Sequence, residues 1–285
     1  MSEKLGNSTD FSGKVIFLVC GFGSLKWTVA ARRLSRELRK IPIKSEVRTY
    51  NNRDLSRNFP ILLNFIDSNY GRKSPGFGYW LWKPYIISKE LSELRDDEVL
   101  VYIDSGCEVV KTDDSSAILK KYVDYARKNK ILAMELNARM NEYCEMHIAK
   151  HFKLTNNQFN SLSMISATMI VLAGNSDSRK IINDWLKCAL ENPKLLSGNL
   201  TYSGHDGFIA HRHDQSIFSA LIHQNQIKPY ANQIDFDPST SAFNDSLFHA
   251  ARNKHFFSIM PDTFFGKIIR LRWRLYRRFN SGYSP

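Results

Sequence analysis

The sequence predicts an α/β fold built around a mixed, mainly parallel sheet, and three observations support this prediction. A continuous apolar run from Val15 to Cys20 is typical of a strand buried on both faces of a parallel sheet. A helical pattern and then an alternating segment follow it, which gives a β–α–β order. A chain of 285 residues with 43% apolar side chains is also long enough to bury a substantial core.

The first elements can be justified in chain order. The first strand ends at the glycines Gly21 and Gly23. Trp27 to Lys40 places apolar residues at helical spacing with Arg and Lys between them, and Pro42 ends this helix. Lys44 to Tyr50 then alternates between apolar and polar residues, which predicts a second strand.

Further elements carry the sheet past the midpoint of the chain. Short apolar segments predict strands at Glu98 to Ile103, Ile131 to Glu135 and Ser166 to Leu172. Helical spacing predicts helices at Ala117 to Lys130, Arg179 to Leu190 and His213 to Gln224. The stretch from Ile227 to Phe257 has no clear period. We therefore expect a flexible N-terminus at 1–12, one catalytic domain at 13–262 and a separate tail at 263–285.

Cysteine usage and the first apolar run indicate where the protein resides. The four cysteines lie far apart without a CxxC pair, which favours reduced thiols over a zinc site or a disulfide framework. The run from Val15 to Cys20 is too short for a signal peptide or a membrane span. We therefore expect synthesis and residence in the cytosol.

The charge of the chain is concentrated at its C-terminal end. The formal net charge is +12, which favours anionic partners. Phe264 to Phe279 contains six basic residues and no acidic residue, and its apolar residues share one helical face. This pattern predicts a basic amphipathic helix that lies on an anionic membrane surface. A helix that docks on a partner or on the protein's own domain is the alternative.

The first candidate site motif is a strand that ends in a carboxylate. Val99 to Ile103 reads as a buried strand, and Asp104 follows it directly. Ligands of open α/β sheets bind at the carboxyl ends of the strands, and a carboxylate there can recruit Mg²⁺ or Mn²⁺. An Asp at a strand end is also a common turn-former, so the motif alone does not decide the function.

Two further motifs carry polar and aromatic side chains. His211 to Ser219 places two His, an Arg, an Asp and a Gln at the start of a predicted amphipathic helix, which suits binding of phosphates or sugar hydroxyls. The alternative is an Asp N-cap followed by a solvated first turn. Ser74 to Ile87 concentrates aromatic residues after two turn glycines. A packed loop-to-helix corner would explain this segment equally well.

Together these motifs resemble those of GT-A glycosyltransferases. Tyr102 to Gly106 is similar to their DxD element, and His211 to Ser216 and Gly76 to Pro84 resemble segments of bacterial capsule and lipopolysaccharide transferases. A more distant resemblance is to glycogenin-like retaining enzymes. The resemblance spans roughly Gly76 to Gln224 and implies a GT-A (Rossmann-like) catalytic domain.

The resemblance also implies roles for individual residues. Asp214 and Gln215 would lie near the anomeric carbon of the donor as catalytic residues. Gly106 replaces the second Asp of the DxD element, so Glu108 would join Asp104 in holding a divalent cation, Mn²⁺ or Mg²⁺. Lys83 would meet the donor diphosphate, and Tyr79 or Trp80 would stack on the base or sugar. The nucleotide-sugar site would therefore contain Gly21, Gly23, Tyr79, Trp80, Lys83, Asp104, Ser105, Arg212 and His213.

The resemblance implies a glycosyltransferase that uses a nucleotide-diphosphate sugar and extends a glycan or lipid-linked acceptor of the cell envelope. It would work at the inner face of the plasma membrane, with retention slightly favoured. An RNA-binding protein is one alternative, although no RRM, KH or helix-turn-helix pattern supports it and we expect no nucleic-acid partner. A catalytically inactive membrane-associated scaffold is another. A dehydrogenase is disfavoured because Lys26 stands where a dinucleotide fingerprint needs its third Gly.

Overall fold

The computed structural model describes residues 13–110, 114–199, 201–202, 204–230 and 246–251. In chain order the strands are β1 (Val15–Gly21), β2 (Ser45–Asn51), β3 (Val99–Ile103), β4 (Glu108–Val109), β5 (Ile131–Arg139), β6 (Ser163–Ala173) and β7 (Phe248–His249). The helices are α1 (Leu25–Leu38), α2 (Asn52–Asn58), α3 (Pro60–Asn69), α4 (Gly76–Tyr79), α5 (Trp82–Ser92), α6 (Ser115–Asn129), α7 (Met140–Tyr143), α8 (Met146–His151), α9 (Asn156–Ser161), α10 (Ser176–Glu191), α11 (Pro193–Ser197) and α12 (Asp214–Gln224).

Five strands form one sheet in the order β2-β1-β3-β6-β5. The strand β1 runs parallel to β2 and β3, whereas β6 runs antiparallel to both of its neighbours. Four of the five strands therefore share one direction and β6 runs the opposite way, so the sheet is mixed and mainly parallel. The predicted α/β fold class is confirmed. The strands β4 and β7 form a separate antiparallel ribbon.

The sheet separates two apolar cores. Ile16 and Leu18 of β1 point into one core, and Val15, Phe17 and Val19 point into the other. All five side chains are buried, as expected for a central strand covered on both faces. The continuous apolar run that predicted β1 therefore reflects burial on both sides of the sheet.

Most predicted elements agree with the structure to within a few residues, and β5 and β6 are each four residues longer than predicted. The prediction that α12 is amphipathic is wrong, because eight of its eleven residues are buried. The alternative of a solvated first turn is also wrong, because Asp214 is buried. The reason is that α12 packs along β6 and against α10, so neighbours cover both sides of the helix.

The four cysteines are free thiols, of which Cys20, Cys107 and Cys144 are buried and Cys188 is half-buried. In the part of the chain that the structure describes, no helix is both long enough and apolar enough to cross a membrane. The predicted N-terminal segment 1–12 and the predicted basic tail 263–285 lie outside the described residues.

Candidate functional site

Asp104 lies at the carboxyl end of β3, where the chain turns away from the sheet. Its backbone N–H donates to the carbonyl of Thr168 on β6 at 2.8 Å, which holds the turn against the neighbouring strand. Its Oδ1 accepts a hydrogen bond from the hydroxyl of Tyr102, a side chain that is completely buried. The Asp104 side chain keeps 32% of its surface exposed. The buried Tyr102 hydroxyl thus orients the carboxylate, and the opposite side of the carboxylate remains accessible to solvent.

Lys83 of α5 belongs to the aromatic segment and contacts one carboxylate from each of the other two sequence motifs. Its Nζ lies 3.4 Å from Oδ1 of Asp104 and 2.9 Å from Oδ2 of Asp214. It also donates to the carbonyl of Ala167 on β6 at 3.1 Å. An ammonium has three N–H donors, and three protein oxygens surround this one. The side chain is only 4% exposed. The predicted contact of Lys83 with a diphosphate stays a prediction, and the observed partners are carboxylates.

Burial and ion pairing act in opposite directions on the charged groups of this cluster. Burial opposes the charge of Lys83, but the nearby Asp104 and Asp214 outweigh it and raise its pKa. Burial raises the pKa of Asp214, and the Lys83 ammonium opposes that shift. Oδ2 of Asp214 accepts no hydrogen bond of good geometry, so the ion pair alone holds it. Two carboxylates around one ammonium leave a net negative charge facing the exposed side of Asp104.

The start of α12 has an unusual backbone. His213 precedes the helix with φ 49° and ψ −120°, a region that residues other than glycine rarely occupy. Its Nδ1 lies 2.7 Å from the carbonyl oxygen of Leu196. The indole N–H of Trp185 donates to the carbonyl of Asp214 at 3.1 Å. The N-cap is His213, and its side chain makes no capping hydrogen bond. These contacts fix the direction in which Asp214 enters the site.

Two other predicted residues flank this helix start. Arg212 is exposed, and its guanidinium carbon lies 4.6 Å from the ring centroid of Tyr143. Gln215 is half-buried in the first turn of α12. Among the described contacts, the backbone N–H of Gln215 donates to the carbonyl of Arg212. Both side chains are available to a ligand, and their predicted roles stay predictions.

The aromatic segment folds into a left-handed turn. All five residues from Gly76 to Trp80 have positive φ: 59°, 56°, 89°, 52° and 61° in chain order. Left-handed backbone costs about 1–2 kcal/mol per non-glycine residue, so Phe77, Tyr79 and Trp80 store strain here. The rings of Tyr79 and Trp80 contact the ring of His213 at centroid distances of 4.9 and 5.6 Å. Gly76 also packs against the Trp80 ring, where a Cβ would come within 2.1 Å. Stacking of Tyr79 or Trp80 on a base or sugar stays a prediction.

An open cleft of about 360 Å³ lies beyond the ends of β1 and β2. The Gly23 N–H donates to Oδ1 of Asn52 at 2.9 Å, and Nδ2 of Asn52 donates back to the Gly23 carbonyl at 2.7 Å. This reciprocal pair ties the two strand ends together. Phe77 of the left-handed turn also reaches the cleft. The lining residues are Gly23, Ser24, Asn52, Leu55, Ser56, Leu63, Arg72 and Phe77.

The two predicted glycines serve different purposes. Gly23 has φ 88° and borders the cleft, and its role in binding a nucleotide sugar stays a prediction. Gly21 is buried, and a Cβ there would lie 2.5 Å from the carbonyl oxygen of Trp27 and 2.8 Å from Cβ of Ala31. The missing side chain of Gly21 therefore allows α1 to pack closely on β1. It does not line the cleft.

Arg33 of α1 positions the loop after Asp104, although it stands in none of the sequence motifs. Its Nη2 donates to the carbonyls of Ser105 at 3.0 Å and Cys107 at 2.6 Å. Ser105 is buried, and its carbonyl is held inside the protein. The spacing of Arg33, three residues after the buried Ala30, places it on the inner face of α1. That spacing was the signal that could have identified it.

A divalent cation at this site would depend mainly on Asp104. Glu108 lies in β4, opposite His249 of β7. Within the described ranges, no three His, Cys, Asp or Glu side chains are grouped as a metal-binding set. The exposed side of Asp104 and the net negative charge around it suit a cation that takes its other ligands from a diphosphate and water. The donor set fits such a shared cation, and the participation of Glu108 stays a prediction.

No protein-family model and no curated protein matches this sequence. Solved structures with a related arrangement include mouse xyloside xylosyltransferase 1, at 10% identity and a TM-score of 0.42 over 76% of this chain and 84% of that one. The bifunctional glycosyltransferase WbbM is 12% identical, with a TM-score of 0.49 over 92% of this chain and 52% of its own. GlyE of Streptococcus pneumoniae TIGR4 is 13% identical, with a TM-score of 0.42 over 93% of this chain and 64% of its own. These likenesses assign no activity, donor or acceptor to this chain.

Proposed function

We propose that this protein is a glycosyltransferase that moves a sugar from a nucleotide-diphosphate sugar to a glycan or lipid-linked acceptor. The observation that carries the proposal is the buried Lys83 ammonium, which holds Asp104 and Asp214 at one edge of the sheet. Ligands of open α/β sheets bind at this edge. The two carboxylates belong to separate motifs that both resemble those of sugar transferases.

The two carboxylates have different environments and therefore suit different tasks. Asp104 is 32% exposed and can meet the polar end of a donor. Asp214 is only 7% exposed, and a charge interacts more strongly with a ligand where water is excluded. Breaking the bond between a sugar and its leaving group builds positive charge on the anomeric carbon, which a nearby carboxylate stabilises. Asp214, with Gln215 beside it, would supply that stabilisation.

Lys83 supports this arrangement by forming ion pairs with both carboxylates. Its ammonium opposes the effect of burial on Asp214 and favours the charged carboxylate. Because its partners come from three elements, it also fixes the separation of Asp104 and Asp214. In this proposal Lys83 positions and charges the catalytic groups, and its contact with the diphosphate would be secondary.

The remaining predicted residues would surround the donor. The cleft beside Gly23 would receive the nucleotide, with Ser105, Arg212 and His213 completing the site towards the sugar. A divalent cation, Mn²⁺ or Mg²⁺, bound at Asp104 would neutralise charge on the leaving diphosphate. Glu108 is proposed as its second protein ligand.

Acceptor, stereochemistry and location are proposed from the sequence motifs alone. The distant resemblance to glycogenin-like enzymes slightly favours retention of anomeric configuration. A lipid-linked acceptor in envelope polysaccharide synthesis would place the enzyme at the inner face of the plasma membrane. The basic tail at 263–285 would hold it against anionic lipid. No nucleic-acid partner is proposed.

Thermal shift with a panel of nucleotides and sugar nucleotides, with and without Mn²⁺, tests the proposal. A ligand that binds only the folded protein raises its melting temperature by mass action. We expect at least one nucleoside diphosphate and its sugar derivative to do so, and Asp104→Asn to weaken the effect. Asp177→Asn, which changes an exposed carboxylate on α10, is the matched control.

Two outcomes would contradict the proposal. One is the absence of any nucleotide-dependent shift or of donor hydrolysis in the wild-type protein. The other is salt-sensitive binding to random RNA that nucleoside diphosphates do not displace, which would favour the RNA-binding alternative.

A further inference from the structure

We propose that His213 contacts substrate directly, and that its Nε2 accepts a hydrogen bond from a hydroxyl of the sugar bound beside Asp214. The inference rests on the proposed function and extends it, because it names the group that would recognise a sugar ring independently of the nucleotide. It starts from the chemistry of the two ring nitrogens of His213.

The hydrogen bond to Leu196 fixes the tautomer of His213. Nδ1 lies 2.7 Å from the carbonyl oxygen of Leu196, and a carbonyl oxygen can only accept. Nδ1 must therefore carry the proton, and in the neutral ring Nε2 keeps its lone pair. Within the described part of the chain, Nε2 has no hydrogen-bond partner. It is also not fully buried, because the fully buried polar atoms without a partner belong to other residues. Nε2 is therefore not sealed from solvent.

The ring of His213 is held in a single orientation. Trp80 stacks on it at 25° between ring planes, Tyr79 is tilted by 46°, and His211 meets it edge-on at 84°. Contacts with three rings and one carbonyl oppose rotation of the imidazole. An acceptor whose direction is already fixed loses little freedom when a hydroxyl binds to it.

Backbone strain occurs on both sides of this contact. His213 is held at φ 49° and ψ −120°, and its partners Tyr79 and Trp80 belong to the left-handed turn. A strained conformation persists only when the surrounding structure enforces it, and such strain concentrates at ligand-binding sites. Here the strained segments bring three rings together and leave Nε2 open.

His211 of the same motif provides an internal contrast. Its Nε2 lies 2.9 Å from the carbonyl oxygen of Leu195, and its Nδ1 accepts the backbone N–H of Glu145 at 3.4 Å. Both ring nitrogens are therefore engaged, and burial lowers the pKa of His211 to about 3. His211 is a packing residue, whereas Nε2 of His213 has no hydrogen-bond partner among the described residues.

In the neutral ring Nε2 can only accept a hydrogen bond, and it therefore suits a hydroxyl rather than a phosphate. A lone pair needs a donor, and a deprotonated phosphate oxygen is itself an acceptor. Sugar hydroxyls donate, and neighbouring hydroxyls on one ring can be bound by two acceptors placed side by side. Asp214 is the next residue in the chain, and we propose its carboxylate as the second acceptor. The hydroxyl could belong to the donor sugar or to the acceptor sugar, and the experiment separates these sources.

His213→Asn is the informative variant. Its side-chain amide retains an N–H donor near the Leu196 carbonyl, and asparagine tolerates positive φ better than most residues. The variant therefore removes Nε2 and can keep the hydrogen bond to Leu196, and it also removes the ring contacts with Tyr79, Trp80 and His211, which the melting temperature must show to be tolerated. His151→Asn is the matched control, because His151 is exposed on α8 and packs on Phe152. Unchanged melting temperatures of both variants would establish that each has folded.

Calorimetric affinities for UDP and UDP-glucose, and for GDP and GDP-mannose, then test the inference. If the hydroxyl belongs to the donor, His213→Asn loses about tenfold in affinity for the sugar nucleotide and none for the nucleotide alone, as expected for one hydrogen bond. If it belongs to the acceptor, both affinities persist and transfer to a panel of methyl hexopyranosides falls about tenfold, while hydrolysis of the donor continues.

Three other outcomes would overturn the inference, and the last of them would also contradict the proposed function. Unchanged affinities together with unchanged transfer would remove His213 from the site. Equal losses for nucleotide and sugar nucleotide would mean that it serves the phosphates or the fold. Wild-type protein that binds none of the four compounds would contradict the proposed function itself, and the inference with it.

Discussion

The ammonium of Lys83 lies 2.9 Å from the carboxylate of Asp214, and this ion pair joins α5 to the start of α12 inside the protein. Neither side chain is more than 7% exposed. Buried ion pairs of this kind contribute little compared with apolar packing, but the loss of one partner leaves the other charged and unpaired. The site and the fold therefore depend on the same contact.

Replacing Lys83 should destabilise the protein strongly. We expect Lys83→Met to lower the free energy of unfolding by about 3–5 kcal/mol, because it leaves two carboxylates close together and one of them buried. Lys89→Met, which changes an exposed lysine of the same helix paired with Glu93, should alter it by less than about 0.5 kcal/mol. Urea unfolding measures both. Adding Asp214→Asn to Lys83→Met should recover part of the loss, and no recovery would contradict the pairing.

The chemical step should depend on Asp214 and Gln215 more than donor binding does. We expect Asp214→Asn and Gln215→Ala to lower kcat and kcat/KM together, because their proposed role is to stabilise charge that appears only in the transition state. Steady-state kinetics with the donor found in the nucleotide panel provide the measurement. A rise in KM alone would make both residues ordinary donor-binding groups.

The two glycines at the end of β1 should respond differently to alanine. Gly21→Ala places a Cβ 2.5 Å from the backbone oxygen of Trp27, so α1 must move and stability should fall by about 2 kcal/mol or more. Gly23→Ala meets nothing closer than 3.8 Å and should cost only the left-handed backbone, about 1 kcal/mol. Urea midpoints compare them. A larger loss for Gly23→Ala would contradict the packing role of Gly21.

Acid should destabilise the protein partly through His211. Burial lowers its pKa to about 3, whereas an unfolded histidine titrates near about 6.5, so the unfolded state binds more protons between these values. The free energy of unfolding should keep its full contribution from His211 above pH 6.5 and fall by up to about 1.4 kcal/mol per pH unit below it. Burial also lowers the pKa of His147, which adds in the same direction. His211→Asn should therefore have a shallower slope between pH 6.5 and 5, and equal slopes would exclude His211 as a cause.

Removing the predicted tail should affect location more than chemistry. Deletion of Phe264 to Pro285 should release the protein from vesicles that contain anionic lipid and leave hydrolysis of a soluble donor unchanged. Each basic residue near such a surface contributes about 1 kcal/mol of attraction, which salt screens. Cosedimentation of full-length and truncated protein at two salt concentrations provides the test. Equal binding by the truncated protein would indicate that the tail packs on the domain or on a partner.

Most strands of the sheet could be predicted because a buried strand leaves a local run of apolar residues in the sequence. The apolar run of β1 is readable from neighbouring residues alone. The direction of β6 is not, because its burial pattern reads the same whether it runs parallel or antiparallel to β3. The prediction of an amphipathic α12 failed for a related reason, since Ser216 and Ser219 are polar in sequence yet buried in the structure.

Three residues that meet at the candidate site could be named from the sequence, but their arrangement could not. Asp104, Lys83 and Asp214 each stood in a recognisable motif, and their meeting depends on packing between elements far apart in the chain. Gly21 was predicted to bind a ligand because the sequence does not show that α1 packs closely on β1 at this position. The left-handed turn was likewise hidden, because glycines predict a turn but do not predict that Tyr79 and Trp80 adopt positive φ as well.

The position of β6 between β3 and β5 has a consequence for how the chain is synthesised. Strands β3 and β5 leave the ribosome first, and neither has its final neighbour on that side until β6 emerges. During that interval the nascent chain carries two unpaired strand edges, which are prone to pair with other chains. Closure of the sheet by β6 also delivers Thr168 to the turn at Asp104. Assembly of the site therefore waits for β6 and then for α12, which brings Asp214 to the ammonium that already holds Asp104.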